Sequence, residues 1–304
     1  MKTLVTGAMA LGEGERERLQ SIGLEITIHA DERARVPKPD LYEIVICNAL
    51  FQYQPVEEFT SLQCIHLISA GLDRVPLDFI RAKGIRLFSA GGVYSAPLAD
   101  SVLCGVLQLY RQSRFFFRNQ LERHWEKHRG LLELTDKQVC IVGAGSVGRE
   151  LAKRFSAFDA RVTGVDLVPM DALCFKAVHG LDRLDETLAE SDIVALTLPL
   201  SEETRHLMDA QRLEKIKPGA ILANVSRGAV VEEAALVRSL QSGRLAGAVL
   251  DVFEEEPLPA DSPLWGMDNV IITPHNAFVS DLTHQRLLEL VIRNCSEYIS
   301  RVDQ

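Results

Sequence analysis

Three residues in the second half of the chain have side chains that can exchange a proton and hold an anion. Arg227, Glu256 and His275 each come shortly after a short apolar run of the kind that forms a buried strand. Because the carboxyl ends of parallel strands open onto the ligand crevice of a sheet, the three groups are expected to converge there. An imidazole titrates near neutral pH, a carboxylate can orient it, and a planar guanidinium can grip a carboxylate at two points. Taken singly, each has a commoner alternative role as a surface residue or a cap.

A glycine pattern lies upstream, in the segment KQVCIVGAGSVGRELAKRF. Gly143, Gly145 and Gly148 form G-x-G-x-x-G between an apolar run and a stretch suited to a helix, the context in which this motif binds a dinucleotide. The first glycine permits a tight turn, the second lets a pyrophosphate approach the backbone, and the third lets helix and strand pack closely. The helix N-terminus then offers free N–H groups to the phosphates.

Asp166 stands at the end of the next apolar run, 18 residues after Gly148. A carboxylate at that spacing can accept hydrogen bonds from the hydroxyls of an adenine ribose, and it would repel a 2'-phosphate. No arginine follows it closely in the sequence to offset that repulsion. The pattern therefore favours NAD over NADP as the cofactor, against the alternative of a glycine-rich turn followed by a strand-end aspartate cap.

Length and charge narrow the class of protein. A chain of 304 residues with 47% hydrophobic residues is expected to form two domains with real cores. Its net charge of −9 gives no long-range attraction to nucleic acid or to an anionic membrane, so neither is an expected partner. No signal peptide or transmembrane helix is predicted, and no further domain is expected after Gln304. An anionic substrate would need a local positive group to hold it.

The six cysteines are scattered and form no C-x-x-C pair. Three of them, Cys47, Cys64 and Cys140, lie inside apolar runs. Buried reduced thiols in a cytoplasmic protein are therefore expected, rather than a disulfide framework or a zinc site, and no metal is predicted.

Short apolar runs alternate with longer amphipathic stretches, which is typical of parallel strands joined by crossover helices. The first series of predicted strands is Thr3–Thr6, Glu25–His29, Ile44–Cys47, Ile65–Ile68 and Arg86–Phe88. The second series is Gln138–Val142, Arg161–Val165, Ile193–Leu198, Ala220–Asn224, Ala248–Asp251 and Val270–Ile272. Six strands are the number expected of a dinucleotide-binding sheet. The predicted helices include Glu13–Ile22, Pro76–Ala82, Pro97–Leu109 and Leu282–Ile299.

The segment Arg111–Arg129 is strongly polar but contains Phe115–Phe117 and Trp125. It is predicted to be a connector that lies on a surface or at a subunit contact. The alternative is that the three phenylalanines simply belong to the core.

Two long segments carry a resemblance to a known family. TLPLSEETRHLMDAQRLEKIKPGAILANVSRGAVVEEAAL resembles the long signature of the D-isomer-specific 2-hydroxyacid dehydrogenases, and SAGLDRVPLDFIRAKGIRL resembles a segment of their substrate domain. The resemblance implies an α/β protein with two doubly wound parallel-sheet domains. A flavodoxin-like substrate domain is expected over 1–97 plus 277–304, and a Rossmann NAD-binding domain over 98–276. A homodimer built on the cofactor domains is also implied.

The resemblance assigns roles to individual residues. The arginine of SRG, the glutamate before proline and the histidine of TPH are catalytic in the family, and they correspond here to Arg227, Glu256 and His275. The spacing of 29 residues from Arg227 selects Glu256 over Glu254 and Glu255. The implied cofactor-binding residues are Gly143, Gly145, Ser146, Val147, Gly148, Asp166, Leu198, Pro199, Thr204, Val225, Ser226, Arg227, Asp251 and His275. The implied substrate-binding residues are Ala70, Gly71, Arg227 and His275.

The implied reaction moves a hydride between the nicotinamide and a small 2-keto or 2-hydroxy acid of D configuration. His275 would give or take the proton, Glu256 would orient its ring, and Arg227 would hold the carboxylate and polarise the carbonyl. Two departures from the family stand out. Asn276-Ala277-Phe278 replaces a run of small residues and would narrow the pocket, and Asp100-Ser101 replaces Glu-His in the long helix.

The loop Asn48–Tyr53 lines the side-chain end of the substrate pocket in the family, and here it contains no lysine or arginine. An unphosphorylated 2-keto acid is therefore favoured, since phosphate is usually held by basic side chains. Three alternatives stay open: a 3-phosphoglycerate dehydrogenase, an NAD(H)-sensing binding protein of the co-repressor kind, and a dehydrogenase of formate or phosphite. Glu256 disfavours the last, because formate enzymes of this fold use glutamine at that position.

Overall fold

The computed structural model describes residues 1–170 and 172–302. The chain divides into two compact units, the first formed by Met1–Tyr94 with Ser280–Gln304 and the second by Ser95–Val279. The boundaries expected near residues 97 and 277 lie close to these divisions, and residues 303–304 of the expected substrate domain fall outside the described residues. Within the described ranges, no helix is long and apolar enough to cross a membrane.

Strands and helices alternate along both units. The strands are β1 (Lys2–Thr6), β2 (Glu25–His29), β3 (Ile44–Cys47), β4 (Cys64–Leu67), β5 (Arg86–Phe88), β6 (Gln138–Val142), β7 (Arg161–Val165), β8 (Ala177–His179), β9 (Ile193–Leu196), β10 (Ala220–Asn224), β11 (Leu245–Leu250) and β12 (Val270–Ile272). The helices are α1 (Glu13–Ser21), α2 (Leu50–Tyr53), α3 (Leu77–Ala82), α4 (Ser95–Tyr110), α5 (Ser113–Glu122), α6 (Ser146–Ser156), α7 (Leu184–Glu190), α8 (Ala210–Lys215), α9 (Glu233–Gln241) and α10 (Thr283–Val302).

The first unit is built on a sheet of β1 to β5 in the order β2-β1-β3-β4-β5, with every neighbouring pair parallel. Side chains alternate between its two faces, as the two-residue period of a strand requires. On β3, Ile44 and Ile46 join one buried cluster, while Val45 and Cys47 join the other. This order is that of a flavodoxin-like doubly wound sheet, so the prediction for this unit is confirmed.

Helix α10 belongs to the first unit although it follows the second in sequence. Its buried face repeats every fourth residue and packs into the same cluster as Ile44, through Leu287, Val291 and Cys295. Asn294 on this helix also hydrogen-bonds to the ring of the buried His66 on β4, at 3.1 Å. The C-terminal helix therefore completes the core of the unit that the N-terminus begins.

The second unit is built on a seven-stranded parallel sheet, in the order β8-β7-β6-β9-β10-β11-β12. Its first six strands follow the Rossmann order, so a doubly wound dinucleotide-binding sheet is confirmed. The prediction of six strands was wrong in number because it missed β8, a three-residue edge strand with one buried side chain. Two predicted boundaries also differ, since β9 ends at Leu196 and β11 runs from Leu245 to Leu250.

The polar connector predicted over Arg111–Arg129 contains a helix, α5. Its phenylalanines divide between the two expected environments: Phe115 is half-buried, whereas Phe117 is 61% exposed. Arg114 and Arg118 attach the helix to the loop before β12, through the Met267 carbonyl and the Asp268 carboxylate. The connector is thus attached to the second unit through two arginines, and it leaves Phe117 exposed on its surface.

Candidate active site

The glycine-rich loop joins β6 to α6, and each of its glycines meets a different constraint. Gly143 has φ +106°, a conformation that L side chains rarely adopt, and an added Cβ would lie 2.8 Å from the Leu198 nitrogen. A Cβ on Gly148 would lie 2.0 Å from the Gly143 carbonyl oxygen. Gly145, in contrast, is exposed and has no neighbouring atom within 4 Å of the position of a Cβ. The loop is therefore tightly packed at Gly143 and Gly148 and accessible at Gly145, as the binding of a pyrophosphate requires.

The start of α6 supplies the positive end of this cradle. Ser146 and Val147 are its first two residues, and Gly145 is its N-cap without a side chain to bond the free N–H groups. Those N–H groups and the helix dipole favour a phosphate.

Asp166 follows β7 and lies against the glycine-rich loop. Its Oδ2 accepts the Ala144 N–H at 2.6 Å, and its Oδ1 accepts the Leu167 N–H at 2.7 Å. Each carboxylate oxygen can accept a second hydrogen bond, so the group can still receive ribose hydroxyls. Arg149 on α6 reaches the same region, where it donates to the Ala144 carbonyl oxygen and to Met170 Sδ. Sequence reasoning missed this guanidinium because it precedes Asp166 in the chain.

The other expected cofactor residues follow β9 and β10, the next strands in the sheet. Leu198 is buried and Pro199 is exposed, and the buried Thr204 hydroxyl donates to the Pro199 carbonyl at 2.7 Å. Val225 and Ser226 are both buried beyond the end of β10. The neighbouring strand ends therefore deliver these residues along the same edge as the glycine-rich loop.

The Asn224 side chain shapes the turn that carries Arg227. Asn224 Oδ1 accepts the Ser226 N–H and hydroxyl at 3.0 and 2.7 Å, and its amide nitrogen donates to the Arg227 carbonyl at 3.0 Å. The Arg227 guanidinium in turn donates to the Ser226 carbonyl at 2.8 Å. A buried amide therefore fixes the backbone on both sides of the arginine.

His275 and Glu256 are directly hydrogen-bonded. His275 Nδ1 lies 2.7 Å from Glu256 Oε2, and Glu256 Oε1 accepts the Phe253 N–H at 3.0 Å. Both side chains are about one-third exposed, at 35% each. The carboxylate is thus held by its own loop and faces the ring through its second oxygen, which leaves Nε2 as the nitrogen that can exchange a proton with a ligand.

The three adjacent glutamates have different environments. Glu254 lies 2.5 Å from His206 Nε2, and its N–H donates to the Glu233 carboxylate. Glu255 is exposed, and only Glu256 contacts His275. The loop therefore aims a single member of the charge run at the expected catalytic histidine.

Asp251 holds the turn on which His275 lies. Its Oδ1 accepts the Thr273 hydroxyl at 2.5 Å and the N–H groups of Asn276 and Ala277 at 2.8 and 3.0 Å. Burial raises the pKa of this carboxyl, and the three hydrogen bonds act in the opposite direction. The turn needs this support because His275 has φ +50°, an uncommon backbone conformation for a residue other than glycine. Sequence reasoning gave Asp251 a role toward the cofactor, and its role in the turn was not foreseen.

Gly228 brings the arginine turn and the glutamate loop together. A Cβ at this position would lie 1.9 Å from the carbonyl carbon and oxygen of Phe253. Phe253 is also the residue whose N–H binds Glu256, so the contact sets the separation of Arg227 and Glu256. The signal that could have found it is the glycine directly after the arginine.

The expected substrate residues Ala70 and Gly71 belong to the first unit, in the loop after β4. Ala70 is exposed, and the Ser69 hydroxyl donates to the Gly71 carbonyl at 3.1 Å. The same loop contains Arg74, which was not among the predicted site residues. Its Nη1 donates to Asn48 Oδ1 at 2.6 Å.

The arrangement is suited to acid–base chemistry on a bound anion. An imidazole backed by a carboxylate can transfer a proton, and a guanidinium on the turn after the neighbouring strand can hold a negative charge. No group of three or more His, Cys, Asp or Glu side chains in the part of the chain that the structure describes could hold a metal ion.

Comparison with known proteins agrees with this geometry. Residues 103–277 match the family model described as D-isomer specific 2-hydroxyacid dehydrogenase, NAD binding domain. The (S)-sulfolactate dehydrogenase of Chromohalobacter salexigens is 36% identical over 284 residues, which cover 91% of each chain. The crystal structure of a D-isomer specific 2-hydroxyacid dehydrogenase from Xanthobacter autotrophicus Py2 with NADPH superposes with a TM-score of 0.79 at 32% identity, covering 97% of this chain and 95% of that one.

A D-lactate dehydrogenase from Aquifex aeolicus, complexed with NAD and lactic acid, superposes with a TM-score of 0.80 at 27% identity, covering 98% of this chain and 95% of that one. Together, the matches and the dinucleotide-binding sheet make the chain an NAD(P)-dependent oxidoreductase that acts on small 2-hydroxy acids. The protein belongs to the D-isomer-specific 2-hydroxyacid dehydrogenase family.

Proposed function

We propose that the protein reduces a small, unphosphorylated 2-keto acid to its D-2-hydroxy acid, with Arg227, Glu256 and His275 as the catalytic residues. The observation that carries the proposal is the 2.7 Å hydrogen bond between His275 and Glu256, and the tight contact of Gly228 with the Phe253 backbone supports it. The bound nicotinamide supplies or accepts the hydride. The protein's own groups have to supply the proton and hold the acid.

His275 acts as the proton donor in reduction and as the acceptor in oxidation. Its Nδ1 is engaged by Glu256, so the proton that reaches the carbonyl oxygen comes from Nε2. Glu256 is therefore a positioning residue that orients the ring of His275.

Arg227 holds the substrate carboxylate and polarises the carbonyl. A planar guanidinium can donate two parallel hydrogen bonds to a carboxylate, and its fixed charge supplies a local attraction for an anion on a chain whose net charge is −9. The backbone N–H groups of Ala70 and Gly71, in the loop after β4, are proposed to bind a substrate carboxylate. The composition of Asn48–Tyr53, which lacks lysine and arginine, supports an unphosphorylated substrate.

The cofactor residues favour NAD over NADP. Asp166 places a negative charge where the adenine ribose is expected, and this charge would repel a 2'-phosphate. Arg149 is nearby, but its Nε and Nη2 donate to Ala144 and Met170. The remaining proposed cofactor residues line the same edge: Gly143, Gly145, Ser146, Val147, Gly148, Leu198, Pro199, Thr204, Val225, Ser226 and Asp251.

A cytoplasmic location is proposed from the state of the cysteines. All six are free thiols, and Cys47, Cys64, Cys140 and Cys295 are buried. Burial raises the pKa of the Cys140 and Cys295 thiols to about 12, so they stay protonated and unreactive. Free thiols are typical of proteins kept in a reducing compartment.

A homodimer is proposed through α5 and the segment that follows it. Phe117, Leu121 and Trp125 expose 61%, 84% and 97% of their surfaces along this stretch. Large apolar side chains so close together are uncommon on the surface of a monomer. A twofold contact would bury the same side chains from both copies at once.

The catalytic proposal predicts NADH oxidation with at least one unphosphorylated acid among pyruvate, glyoxylate, hydroxypyruvate, phenylpyruvate and 2-ketoisocaproate. His275→Ala should lower kcat by about a hundredfold or more, since the proton donor is lost. His206→Ala is the matched control, because His206 is also paired with a glutamate, and it should stay within about threefold of the wild type. Absorbance at the NADH band measures each rate.

Four outcomes would contradict parts of this proposal. Full activity of His275→Ala would exclude its catalytic role. A preference for 3-phosphohydroxypyruvate, or for NADPH over NADH, would overturn the substrate or the cofactor assignment. Tight NADH binding without turnover of any acid would favour a sensor of the NAD(H) state.

Gly228→Ala should lower kcat/KM by about tenfold or more, because a Cβ cannot fit against the Phe253 backbone without separating Arg227 from Glu256. Gly266→Ala is the control, since a Cβ there meets no atom within 4 Å. Steady-state kinetics on folded protein, checked by circular dichroism, measures the effect. Equal activity of the two variants would show that the contact does not set the site.

The dimer proposal predicts that Leu121→Asp converts the protein to a monomer, because a charge would enter the apolar contact. Leu173→Asp is the matched control, since Leu173 is 92% exposed but lies away from α5 in the sequence. Size-exclusion chromatography with light scattering measures the mass of each. A monomeric wild type, or a dimeric Leu121→Asp variant, would contradict the proposal.

A further inference from the structure

Two neighbouring loops of the first unit meet at the carboxyl edge of its sheet. One follows β3 and begins at Asn48, and the other follows β4 and contains Ser69–Arg74. The two strands are parallel neighbours in register, with Cys47 opposite Leu67, so their loops leave the sheet side by side. Open parallel sheets bind ligands at this edge.

Arg74 connects these two loops through a neutral acceptor. Its Nη1 donates to Asn48 Oδ1 at 2.6 Å, and its side chain is half-buried. Within residues 1–170 and 172–302, no carboxylate lies within ion-pair distance of it, and neither Nε nor Nη2 has a partner. Arg33 and Arg35 of the same unit are exposed and paired with Asp31 and Glu58 instead.

Hydrogen bonds hold both loops around Arg74. The Tyr94 hydroxyl donates to the Ile68 carbonyl at the base of the loop. Burial raises the pKa of the Tyr94 phenol, and the positive charge of Arg74 acts in the opposite direction. Asn48 is equally fixed, because Glu32 accepts the N–H groups of Asn48 and Ala49 at 2.6 and 2.7 Å. Nη1 of Arg74 is therefore bonded to a fixed residue, and the other two nitrogens remain available to an anion.

We propose that Arg74 binds a second, singly charged oxyanion on C3 of the substrate, a carboxylate or a sulfonate. This inference rests on the proposed function, in which Ala70 and Gly71 of the same loop hold the first carboxylate. The free fork of a guanidinium matches two oxygens of either group. The substrate class is thus a 2-keto acid with an acidic group at each end.

The local charge limits that group to one negative charge. Arg74 supplies one positive charge, and the Glu32 carboxylate, which accepts the Asn48 N–H, supplies a negative one. A phosphate carries nearly two negative charges at neutral pH, and a single guanidinium compensates only one of them. A carboxylate or sulfonate leaves no such excess.

The test compares oxaloacetate and 3-sulfopyruvate with pyruvate, which lacks the second anion, and with 3-phosphohydroxypyruvate. For the wild type, kcat/KM for one of the two singly charged acids should exceed that for pyruvate by about tenfold or more. In Arg74→Gln, which keeps an N–H donor for Asn48 but has no charge, this ratio should fall by about tenfold or more, mainly through KM. Arg81→Gln, on the exposed surface of α3, is the control and should keep the ratio.

Each other outcome overturns a stated part. If the wild type has the same kcat/KM for pyruvate as for oxaloacetate and 3-sulfopyruvate, the role of Arg74 is contradicted and the proposed function stays intact. An equal loss on pyruvate and on the diacids in Arg74→Gln would show a purely structural link between the loops. A preference for the phosphorylated acid would overturn the single-charge limit, and no turnover of any acid would overturn both proposals.

Discussion

The hydrogen bond between Glu256 and His275 is the contact on which the proposed chemistry depends. It joins two residues that are 19 positions apart, and neither is in a helix or a strand. The rest of the site works to keep that contact in place. Asp251 grips the turn that holds His275 in its uncommon backbone conformation, and the Phe253 N–H fixes the far oxygen of Glu256. A buried carboxylate that accepts three hydrogen bonds resists displacement because its donors would otherwise be left unsatisfied.

The parallel sheet explains why these loops meet at all. β10, β11 and β12 are consecutive neighbours, so the turns after them leave the same edge, about one strand spacing apart. Gly228 allows the turn after β10 to pack against the loop after β11, because any side chain there would collide with the Phe253 backbone. The rigid strands form the framework, and the three loops after them carry the proposed catalytic residues. This division is common among α/β enzymes.

Periodicity in the sequence predicted most of the fold because buried parallel strands produce continuous apolar runs. It missed β8, since a three-residue edge strand has too few buried side chains to leave a pattern. For the candidate site, the types and order of Arg227, Glu256 and His275 were visible in the sequence, as was the glycine motif. The Arg74 contact with Asn48 was not, because it joins two loops that are 26 positions apart and depends on strand register. The turn-holding role of Asp251 was hidden for the same reason, since its partners lie beyond the next strand.

The most direct test of the central claim is a double-mutant cycle on kcat for Glu256→Ala and His275→Ala with the best substrate. If Glu256 acts through His275, the double variant should be no slower than His275→Ala alone, because the carboxylate has nothing left to orient. The two losses would then be far from additive in activation free energy. Losses that simply multiply would show that the two residues act independently, and that result would contradict the account.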